Sequence, residues 1–338
     1  MMRNYSLPLL IAALFALLMT LFATHFLSGY MQQVIRYMCI NVMLAASLNL
    51  VNGYMGEFSC GHGGFMAVGA YVSSVLSVLL FAESKYFGAP LLSPSLAVYL
   101  FPAILLIGAV CAALAGLLVA IPSFRTRGDY LAIITIAAIF IIITLIVNLD
   151  FIGGPRGFMG MTQVVRAMEK EFNIPWMLLW IYSGMILTLW LLRRFVDSTL
   201  GKGVMAVCQD ETAAEMMSVN TNRMKLVAFM ISSGLAGLAG GLFAHDYGYI
   251  NPNAFGIMKS TECMVMVYLG GMGSLSGAVL AAVLFTLLLE SLRGLQILKW
   301  VIVPFMLIIL MQFRPEGIMG NRELSDLFPK LKRFYRFK

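Results

Sequence analysis

The stretch LNLVNGYMGEFSCGHGGFMAVGAY, residues 48–71, separates two long apolar runs and contains six glycines between Gly53 and Gly69. Glu57 and His62 lie among these glycines. Glycine weakens helices, and an ionisable side chain is costly in contact with hydrocarbon. The stretch therefore predicts a break between two helices, at a place where its polar groups find partners or water.

The overall composition predicts a protein that lies mostly inside a lipid bilayer. The chain has 338 residues, of which 60% are hydrophobic and 12% charged, and its mean hydropathy is +0.88. Soluble domains contain about a quarter charged residues. The net charge of +7 comes from basic residues between apolar runs and in the C-terminal tail. That arrangement favours a role in membrane orientation over nucleic-acid binding.

The cysteines stand singly, without the spacing of a metal site or a redox pair. We expect them to be small packing residues and expect no bound metal. They are Cys39, Cys60, Cys111, Cys208 and Cys263.

The apolar runs predict an all-α polytopic membrane protein with about ten passages. The first run, residues 7–27, is long enough to span the bilayer as an uncleaved helix. The run 261–271 is too short to cross upright, so a half-helix or a re-entrant segment is expected there. The other spans are expected at residues 33–52, 60–82, 97–121, 129–149, 174–192, 223–245, 275–292 and 297–313.

Ten passages place both chain termini on the same side of the membrane. With the termini in the cytoplasm, most of the 23 Lys and Arg fall on cytoplasmic segments, as the positive-inside rule requires. We therefore expect a transmembrane domain over residues 1–320 and a basic cytoplasmic tail over residues 321–338.

In this topology the opening stretch joins two spans near the cytoplasmic face. Its glycines permit a sharp reversal, and polar side chains such as that of Asn52 can satisfy backbone groups that leave the helix. Glu57 and His62 are then expected near water or a cytoplasmic partner rather than at the membrane centre. A moving hinge or inner gate is the alternative to a static joint. The candidate residues for either role are Asn49, Gly53, Glu57, Ser59 and His62.

The longest cytoplasmic loop, residues 196–222, predicts a short helix outside the bilayer. Asp210 can cap this helix, and Glu211 lies in its first turn, where the helix dipole favours a carboxylate. Such a helix is either a solvated connector or a contact for a soluble partner, to which small and flexible side chains adapt. Its expected apolar surface consists of Ala213, Ala214, Met216 and Met217, flanked by Glu211 and Glu215.

The segment DETAAEMMSVN, residues 210–220, resembles the coupling loop of bacterial ABC importer permeases, which fits a cleft in a cytoplasmic ATPase. The chain as a whole resembles permeases of the high-affinity branched-chain amino acid transporters, over about residues 40–320. The matching blocks, in the order of the family, are the opening stretch, RTRGDYLAIITIA, IGGPRGF, KLVAFMISSGLAGLAGGLFA, ECMVMVYLGGMGSLSGAVL and MQFRPEGIMG.

The resemblance implies uptake of leucine, isoleucine and valine by alternating access, in a fold similar to the type II importer permeases. It implies a bacterial inner membrane and three kinds of partner: a second homologous permease subunit, two cytoplasmic ATP-binding subunits, and a periplasmic or extracellular substrate-binding protein. The chain has no GxxxxGK[ST] loop. We therefore expect ATP to be used by the partners, with no cofactor and no enzymatic activity on this chain. The ATPase contact would consist of Gln209, Asp210, Glu211, Ala213, Ala214, Glu215, Met216, Met217 and Ser218.

Three residues depart from the usual pattern of the family. Ser218 stands where the family usually has glycine, and Cys208 stands where arginine is common. Glu57 stands where glutamine or an apolar residue is common. Any role of Glu57 is therefore specific to this sequence.

Two further segments are candidates for the transport pathway. IGGPRGF, residues 152–158, is expected on the outer side, where Gly153 and Gly154 either form a tight turn or face the binding protein. Thr135 is a hydroxyl in an otherwise apolar helix, and it either bonds its own backbone at position i−4 or contacts substrate.

Other polar and small residues are expected to pack between helices or to lie at the membrane interface. GLAGLAGG, residues 234–241, repeats small residues at helical spacing and predicts a close helix crossing. His245 and Asp246 follow at the outer end and are expected at the interface. Glu262 and Glu290, near the ends of apolar runs, are expected to be anchors or interhelix hydrogen-bond partners.

Segments 53–59 and 270–276 share the pattern G-x-M-G-x-x-S, and both are expected near the inner face. Broken, glycine-rich helices at corresponding places in two halves can mark a transport pathway. Placement on the same side fits a parallel repeat, although four matched positions also fit coincidence.

Three alternatives remain open from the sequence. A urea or short-amide ABC permease would differ only in substrate. An ion-coupled secondary transporter usually buries paired ionisable residues near midmembrane, whereas here these residues cluster near span ends. Neither that carrier nor a channel or structural subunit would need the coupling loop of residues 196–222.

Overall fold

The computed structural model describes residues 28–83, 88–124, 130–172, 175–313, 316–320 and 322–323. The span expected at residues 7–27 lies outside these residues, as does most of the tail expected at residues 321–338. The helices are α1 Gly29–Asn49, α2 His62–Phe81, α3 Ala97–Ser123, α4 Tyr130–Val147, α5 Met161–Phe172, α6 Trp176–Val196, α7 Thr199–Gln209, α8 Glu211–Met216, α9 Thr221–Tyr247, α10 Ile257–Gly270, α11 Leu275–Ser291 and α12 Lys299–Phe313.

Two short strands pair with each other near the end of α9. Strand β1 is Phe158–Met159 and strand β2 is Tyr249–Ile250. They pair antiparallel, with Phe158 opposite Ile250. The all-α prediction therefore holds apart from this two-residue pairing.

Seven helical segments of the described chain are long and apolar enough to cross a membrane. The short helix expected at residues 261–271 is α10, which has 14 residues, fewer than the ~20 that an upright crossing needs. Helix α12 is also short, with 15 residues. The ten passages and the type II likeness stay predictions. The seven segments are Gly29–Tyr54, His62–Phe81, Pro94–Ser123, Tyr130–Val147, Trp176–Val196, Thr221–Tyr247 and Leu275–Gly294.

Polar side chains cap the N-termini of several helices, where they accept hydrogen bonds from backbone N–H groups of the first turn. Asn220 accepts from the backbone nitrogen of Arg223 at 3.0 Å at the start of α9. Ser274 accepts from the backbone nitrogen of Gly277 at 3.0 Å at the start of α11. Helix α9 ends at Gly248, whose φ of 69° is the left-handed conformation that glycine favours at helix ends.

Helix α9 forms the centre of the fold, where it packs against α2 and α3 through glycine. A Cβ atom on Gly69 would overlap the backbone of Gly237, and one on Gly240 would overlap the carbonyl group of Met66. Gly237 also faces the methyl group of Ala112 on α3. The close crossing predicted from residues 234–241 is confirmed.

Candidate functional site

The opening stretch forms an irregular connection between α1 and α2, here called the joint and defined as residues 50–61. Helix α1 continues past Asn49 as one π-helical turn, Leu50–Tyr54. Gly56 then takes a φ of 74°, a value that glycine adopts without strain, and α2 begins at His62. The break between two helices that the glycines predict is confirmed. π-helical turns inside helices often occur at functional sites.

Asn49 connects the joint to the loop between α10 and α11. Its side-chain nitrogen donates to the carbonyl oxygen of Ser274 at 2.9 Å, and its side-chain oxygen accepts from the backbone nitrogen of Gly273 at 3.1 Å. A Cβ on Gly53 would overlap that same backbone nitrogen. The two segments that share the G-x-M-G-x-x-S pattern are therefore in contact with each other.

Asn52 bonds across the joint to the backbone of Ser59. Its side-chain oxygen accepts from the backbone nitrogen of Ser59 at 3.2 Å, and its side-chain nitrogen lies 3.5 Å from the carbonyl oxygen of Ser59. The Ser59 hydroxyl accepts from the backbone nitrogen of Gly61 at 3.4 Å. Polar side chains thus satisfy backbone groups of the joint that no helix satisfies.

Thr135 contacts both its own helix and the joint. Its hydroxyl donates to the carbonyl oxygen of Ala132 at 3.0 Å and accepts from the backbone nitrogen of Cys60 at 3.1 Å. The bond to its own backbone is therefore at position i−3 instead of i−4. Because Thr135 is fully buried, it fastens α4 to the end of the joint.

His62 is buried, which corrects the expectation that it lies near water. Its side chain is 2% exposed, and its Nε2 atom lies 2.9 Å from the Ser47 hydroxyl. Ser232 on α9 donates to the carbonyl oxygen of Ser47 at 2.6 Å. The contact between Ser47 and His62 therefore lies at about the height of Ser232 along α9. Ser232 lies about 16 Å along α9 from Thr221, at 1.5 Å per residue, so His62 sits well inside the bundle. The Ser47 hydroxyl gives the His62 imidazole a hydrogen-bond partner there.

Glu57 lies at the edge of the joint nearest to α8, and its side chain is 23% exposed. Its carboxylate pairs with the ammonium group of Lys225 at 2.7 Å. Lys225 also contacts the carboxylate of Glu211 in α8 at 3.0 Å. Glu57 therefore lies beside the loop of residues 196–222.

Helix α8 is the short helix predicted in the coupling loop, and it is capped as expected. Asp210 accepts from the backbone nitrogen of Ala213 at 3.0 Å. Met216 and Met217 are 84% and 80% exposed. Ala214 is only 6% exposed, because it faces the membrane domain. The expected apolar surface is therefore corrected to Ala213, Met216 and Met217.

Ser218 ends α8 in the left-handed backbone conformation, with a φ of 62°. It is the single non-glycine residue with positive φ in the described part of the chain. The backbone nitrogen of Val219 closes the helix by donating to the carbonyl oxygen of Ala214 at 3.1 Å. This geometry explains why glycine suits the position, since glycine adopts positive φ without a steric penalty.

Cys208 and the backbone of the joint are in direct contact. A Cβ on Gly56 would lie 2.6 Å from the Cys208 sulfur. Burial around the thiol, together with the negative charge of Glu57, raises the pKa of Cys208 above its ordinary value. Helix α7, which carries Cys208, therefore touches the joint directly.

Comparison with known proteins identifies the group to which this helical membrane chain belongs. The family model described as branched-chain amino acid transport system, permease component, matches residues 30–312. The chain belongs to this permease family.

The permease is similar to several named relatives. The high-affinity branched-chain amino acid transport system permease protein LivM of Escherichia coli K12 is 30% identical over 304 residues, which cover 83% of this chain and 68% of the relative. LivH of the same strain is 26% identical, over 84% of this chain and 92% of the relative. The ribose import permease protein RbsC of Haemophilus influenzae is 25% identical, over 74% of this chain and 78% of the relative. No solved structure matches the chain.

The turn at residues 152–157 of the permease is a tight one. Gly153 and Gly154 have φ values of 89° and 51°, and a Cβ on Gly153 would overlap the carbonyl oxygen of Gly157. The Tyr249 hydroxyl donates to the carbonyl oxygen of Arg156 at 2.9 Å, which fastens this turn to β2. The role of Gly153 and Gly154 in facing a binding protein stays a prediction.

Two polar groups near the C-terminal end of α9 are buried. The Asp246 side chain is 2% exposed and pairs with Arg36 on α1. His245 is also 2% exposed, and its Nε2 atom lies 2.8 Å from the Ser77 hydroxyl. The expected placement of His245 and Asp246 at the membrane interface stays a prediction. Each group finds a partner on another helix instead of water.

Lys259 forms a second buried polar group at the start of α10. Its ammonium donates to the Tyr37 hydroxyl at 2.8 Å, to the side-chain oxygen of Asn41 at 3.2 Å and to Glu262 at 2.9 Å. Glu262 therefore pairs within its own helix, and Lys259 supplies the contact between helices. Glu290, near the end of α11, pairs with Arg293 in the segment that follows this helix, at 3.3 Å. The expectation that ionisable residues lie near the ends of the spans therefore holds for their positions in the sequence. It does not mean that their side chains are exposed to water.

Glu323 in the C-terminal segment contacts the start of α11. Its carboxylate accepts from the backbone nitrogen of Leu275 at 2.7 Å and from the Ser276 hydroxyl at 2.6 Å. It also accepts from the Tyr54 hydroxyl at 3.2 Å, at the end of the π-helical turn. The segment after α12 therefore reaches the joint.

The sequence did not single out Lys225, Lys259 or Glu323 as site residues. The spacing of Lys259 and Glu262 within one helical turn was a usable indication of their pairing. Lys225 and Glu323 have partners far along the chain, which spacing does not reveal. In the described part of the chain, no group of three or more His, Cys, Asp and Glu side chains could hold a metal.

Proposed function

We propose that this chain is the permease subunit of an ABC importer that carries leucine, isoleucine and valine into a bacterial cell. In this proposal two cytoplasmic ATP-binding subunits hydrolyse ATP, and a second homologous permease subunit completes the pathway. A periplasmic or extracellular binding protein delivers the substrate. The chain itself binds no cofactor, lies in the inner membrane and keeps both termini in the cytoplasm.

The observation that carries the proposal is the geometry of α8. This helix presents Ala213, Met216 and Met217 on an exposed face, while its other face is held by the membrane domain. Thr221 donates to Glu215 at 2.9 Å, and Lys225 contacts Glu211 at 3.0 Å. A connector would gain nothing from two nearly fully exposed methionines, whereas a groove on a partner would bury them.

The family membership supports an ABC importer over an ion-coupled carrier or a channel. It supports branched-chain amino acids as the substrate class, since the LivM and LivH relatives are named for that transport. The relative named as a ribose import permease shows that related chains carry other solutes. Substrate identity therefore needs its own test.

The test of ATPase coupling is the substitution Ala213→Glu in the assembled transporter. A charged side chain in the centre of the exposed face should reduce the ATPase that co-purifies with the permease by about tenfold or more, equivalent to about 1.4 kcal/mol of binding free energy. Uptake should fall with it. The matched control is Ala254→Glu, at an exposed alanine in the turn before α10. The control should keep the ATPases bound.

Retention of both uptake and bound ATPase in the Ala213→Glu variant would refute the coupling role of α8. The substrate class is tested separately, by uptake into vesicles that contain the whole complex and its binding protein. Leucine should compete with valine and isoleucine for uptake. Transport of urea, short amides or ribose, without leucine transport, would replace the proposed substrate.

A further inference from the structure

One ammonium group connects the coupling helix to the joint. The Nζ atom of Lys225 lies 2.7 Å from Glu57 in the joint, and 3.0 Å and 3.1 Å from the two carboxylate oxygens of Glu211 in α8. An ammonium group has three hydrogens, so it can serve both carboxylates at once. Lys225 itself belongs to the first turns of α9, the helix at the centre of the fold.

We propose that Lys225 is a positioning residue that transmits the movement of α8 to the joint, through its ion pairs with Glu211 and Glu57. The inference rests on the proposed function, in which the ATPases move α8. It adds the route by which that movement reaches the membrane domain.

The surroundings of the three charges make their link stronger than an ordinary surface pair. The Lys225 side chain is 11% exposed and that of Glu57 is 23% exposed, while Glu211 is 48% exposed. Partly buried ion pairs are screened less by salt than exposed ones. The Glu57 pair is therefore the tighter half of the link, and the Glu211 pair is the half that a cytoplasmic partner can reach.

The charges also limit how α8 and the joint can move apart. Glu57 and Glu211 are both negative, so they are held near each other only while the ammonium lies between them. If α8 is displaced from the start of α9, Lys225 can follow one carboxylate only. The joint then either moves with α8 or loses its only described ion-pair partner.

A second contact runs beside the first and makes the same connection by packing. Helix α7 precedes α8, and its Cys208 sulfur would lie 2.6 Å from a Cβ on Gly56. A displacement of the α7–α8 segment therefore pushes on the backbone of the joint at Gly56. Through the ion pairs, a displacement of α8 in the opposite direction also pulls on the joint.

The inference is tested in the reconstituted complex of permease subunits, ATPases and binding protein, by measuring substrate transported per ATP hydrolysed. Lys225→Met keeps the length of the side chain and removes the charge. We expect this ratio to fall by about tenfold, within the range of ordinary coupling between sites, while the ATPases remain bound. Lys202→Met is the matched control, because Lys202 is an exposed lysine in the same loop. It should leave the ratio unchanged.

Glu57→Gln gives a second, milder variant in case Lys225→Met fails to assemble. The double variant with Lys225→Met and Glu57→Gln should lose no more of the transport per ATP than Lys225→Met alone, because both changes remove the same link. Glu57→Lys and Lys225→Glu should each lower the transport per ATP when made alone. When the two changes are combined, the opposite charges face each other again, and part of the lost transport per ATP should return. A purely structural role would lower the amount of assembled complex but not the transport per ATP.

An unchanged ratio in Lys225→Met and Glu57→Gln, or additive losses in the double variant, would overturn the inference. The coupling role of α8 has a separate criterion, since it fails if Ala213→Glu keeps both ATPase binding and uptake. Loss of coupling through α8 together with an unchanged ratio in Lys225→Met would therefore reject the link and keep the importer.

Discussion

Asn49 and Ser274 are joined by a 2.9 Å hydrogen bond from the Asn49 side chain to the Ser274 carbonyl oxygen. Both groups are buried, and they belong to helices separated by most of the chain. The same asparagine accepts from the backbone nitrogen of Gly273. The end of α1 and the loop before α11 therefore share one set of hydrogen bonds.

We expect Asn49→Leu to destabilise the permease by about 1–3 kcal/mol, since it leaves the Gly273 backbone nitrogen without its partner and removes one of the two hydrogen bonds to the Ser274 carbonyl oxygen. The measurement is thermal unfolding of the purified protein in detergent. Asn148→Leu is the control, as Asn148 is exposed and bonds only to its own helix in the described contacts. Equal unfolding temperatures for Asn49→Leu and Asn148→Leu would contradict the prediction.

We expect Ser218→Gly to stabilise the end of α8 by about 1 kcal/mol, because glycine adopts a φ of 62° without the steric cost that serine bears. Ser218→Val should have the opposite effect, since a β-branched side chain resists positive φ. The measurement is hydrogen exchange of the α8 amides in the assembled complex. Faster exchange in Ser218→Gly than in the original chain would show that the helix end is not strained.

We expect Cys208 to be the cysteine that a membrane-impermeant maleimide modifies, and only from the cytoplasmic side. It is the exposed one, whereas Cys39, Cys60 and Cys263 are buried. Its raised pKa means that little thiolate exists at pH 7, so labelling should accelerate as the pH rises past the ordinary thiol value.

Glu57→Gln supplies the control for that labelling, because it removes a negative charge that raises the Cys208 pKa. Labelling at pH 8 should then be faster than in the original chain. Unchanged labelling would mean that the carboxylate has no influence on the thiol, and slower labelling would mean that its influence has the opposite sign. Labelling from the outer side would reverse the proposed orientation.

We expect Gly69→Ala to destabilise the fold by about 1–3 kcal/mol, since the added methyl group overlaps the backbone of Gly237 on α9. Thermal unfolding in detergent measures the effect. Gly29→Ala makes the same substitution at a helix start with nothing within 4 Å of the new atom. A Gly69→Ala protein as stable as the Gly29→Ala protein would rule out the close crossing of α2 and α9.

Hydropathy alone located most of the membrane helices of the described chain. The span expected at residues 60–82 is His62–Phe81, and the one expected at residues 223–245 is Thr221–Tyr247. These boundaries follow from local composition, because apolar runs end where polar residues begin. The cap of α8 at Asp210 was also readable, since capping depends on neighbours a few residues away.

Depth in the membrane and distant partners could not be read in the same way. His62 and Asp246 stand near the ends of apolar runs, and a sequence window does not show that Ser47 and Arg36 approach them from other helices. Ala214 and Ala213 are neighbours of the same type, but only the packing of α8 against the membrane domain separates the buried one from the exposed one. Contacts over long sequence separation set all of these differences.

The bond from Asn49 to the α10–α11 loop has a consequence for how the protein is made. Its partner Ser274 lies 225 residues later in the chain, so translation delivers α1 to the membrane long before that partner exists. During this interval the Asn49 amide must be hydrated or bonded elsewhere, because an unpaired polar group in hydrocarbon is costly. The first half of the permease is therefore expected to remain near the insertion machinery until the second half arrives, and a chain truncated before residue 273 is expected to be a substrate for membrane proteolysis.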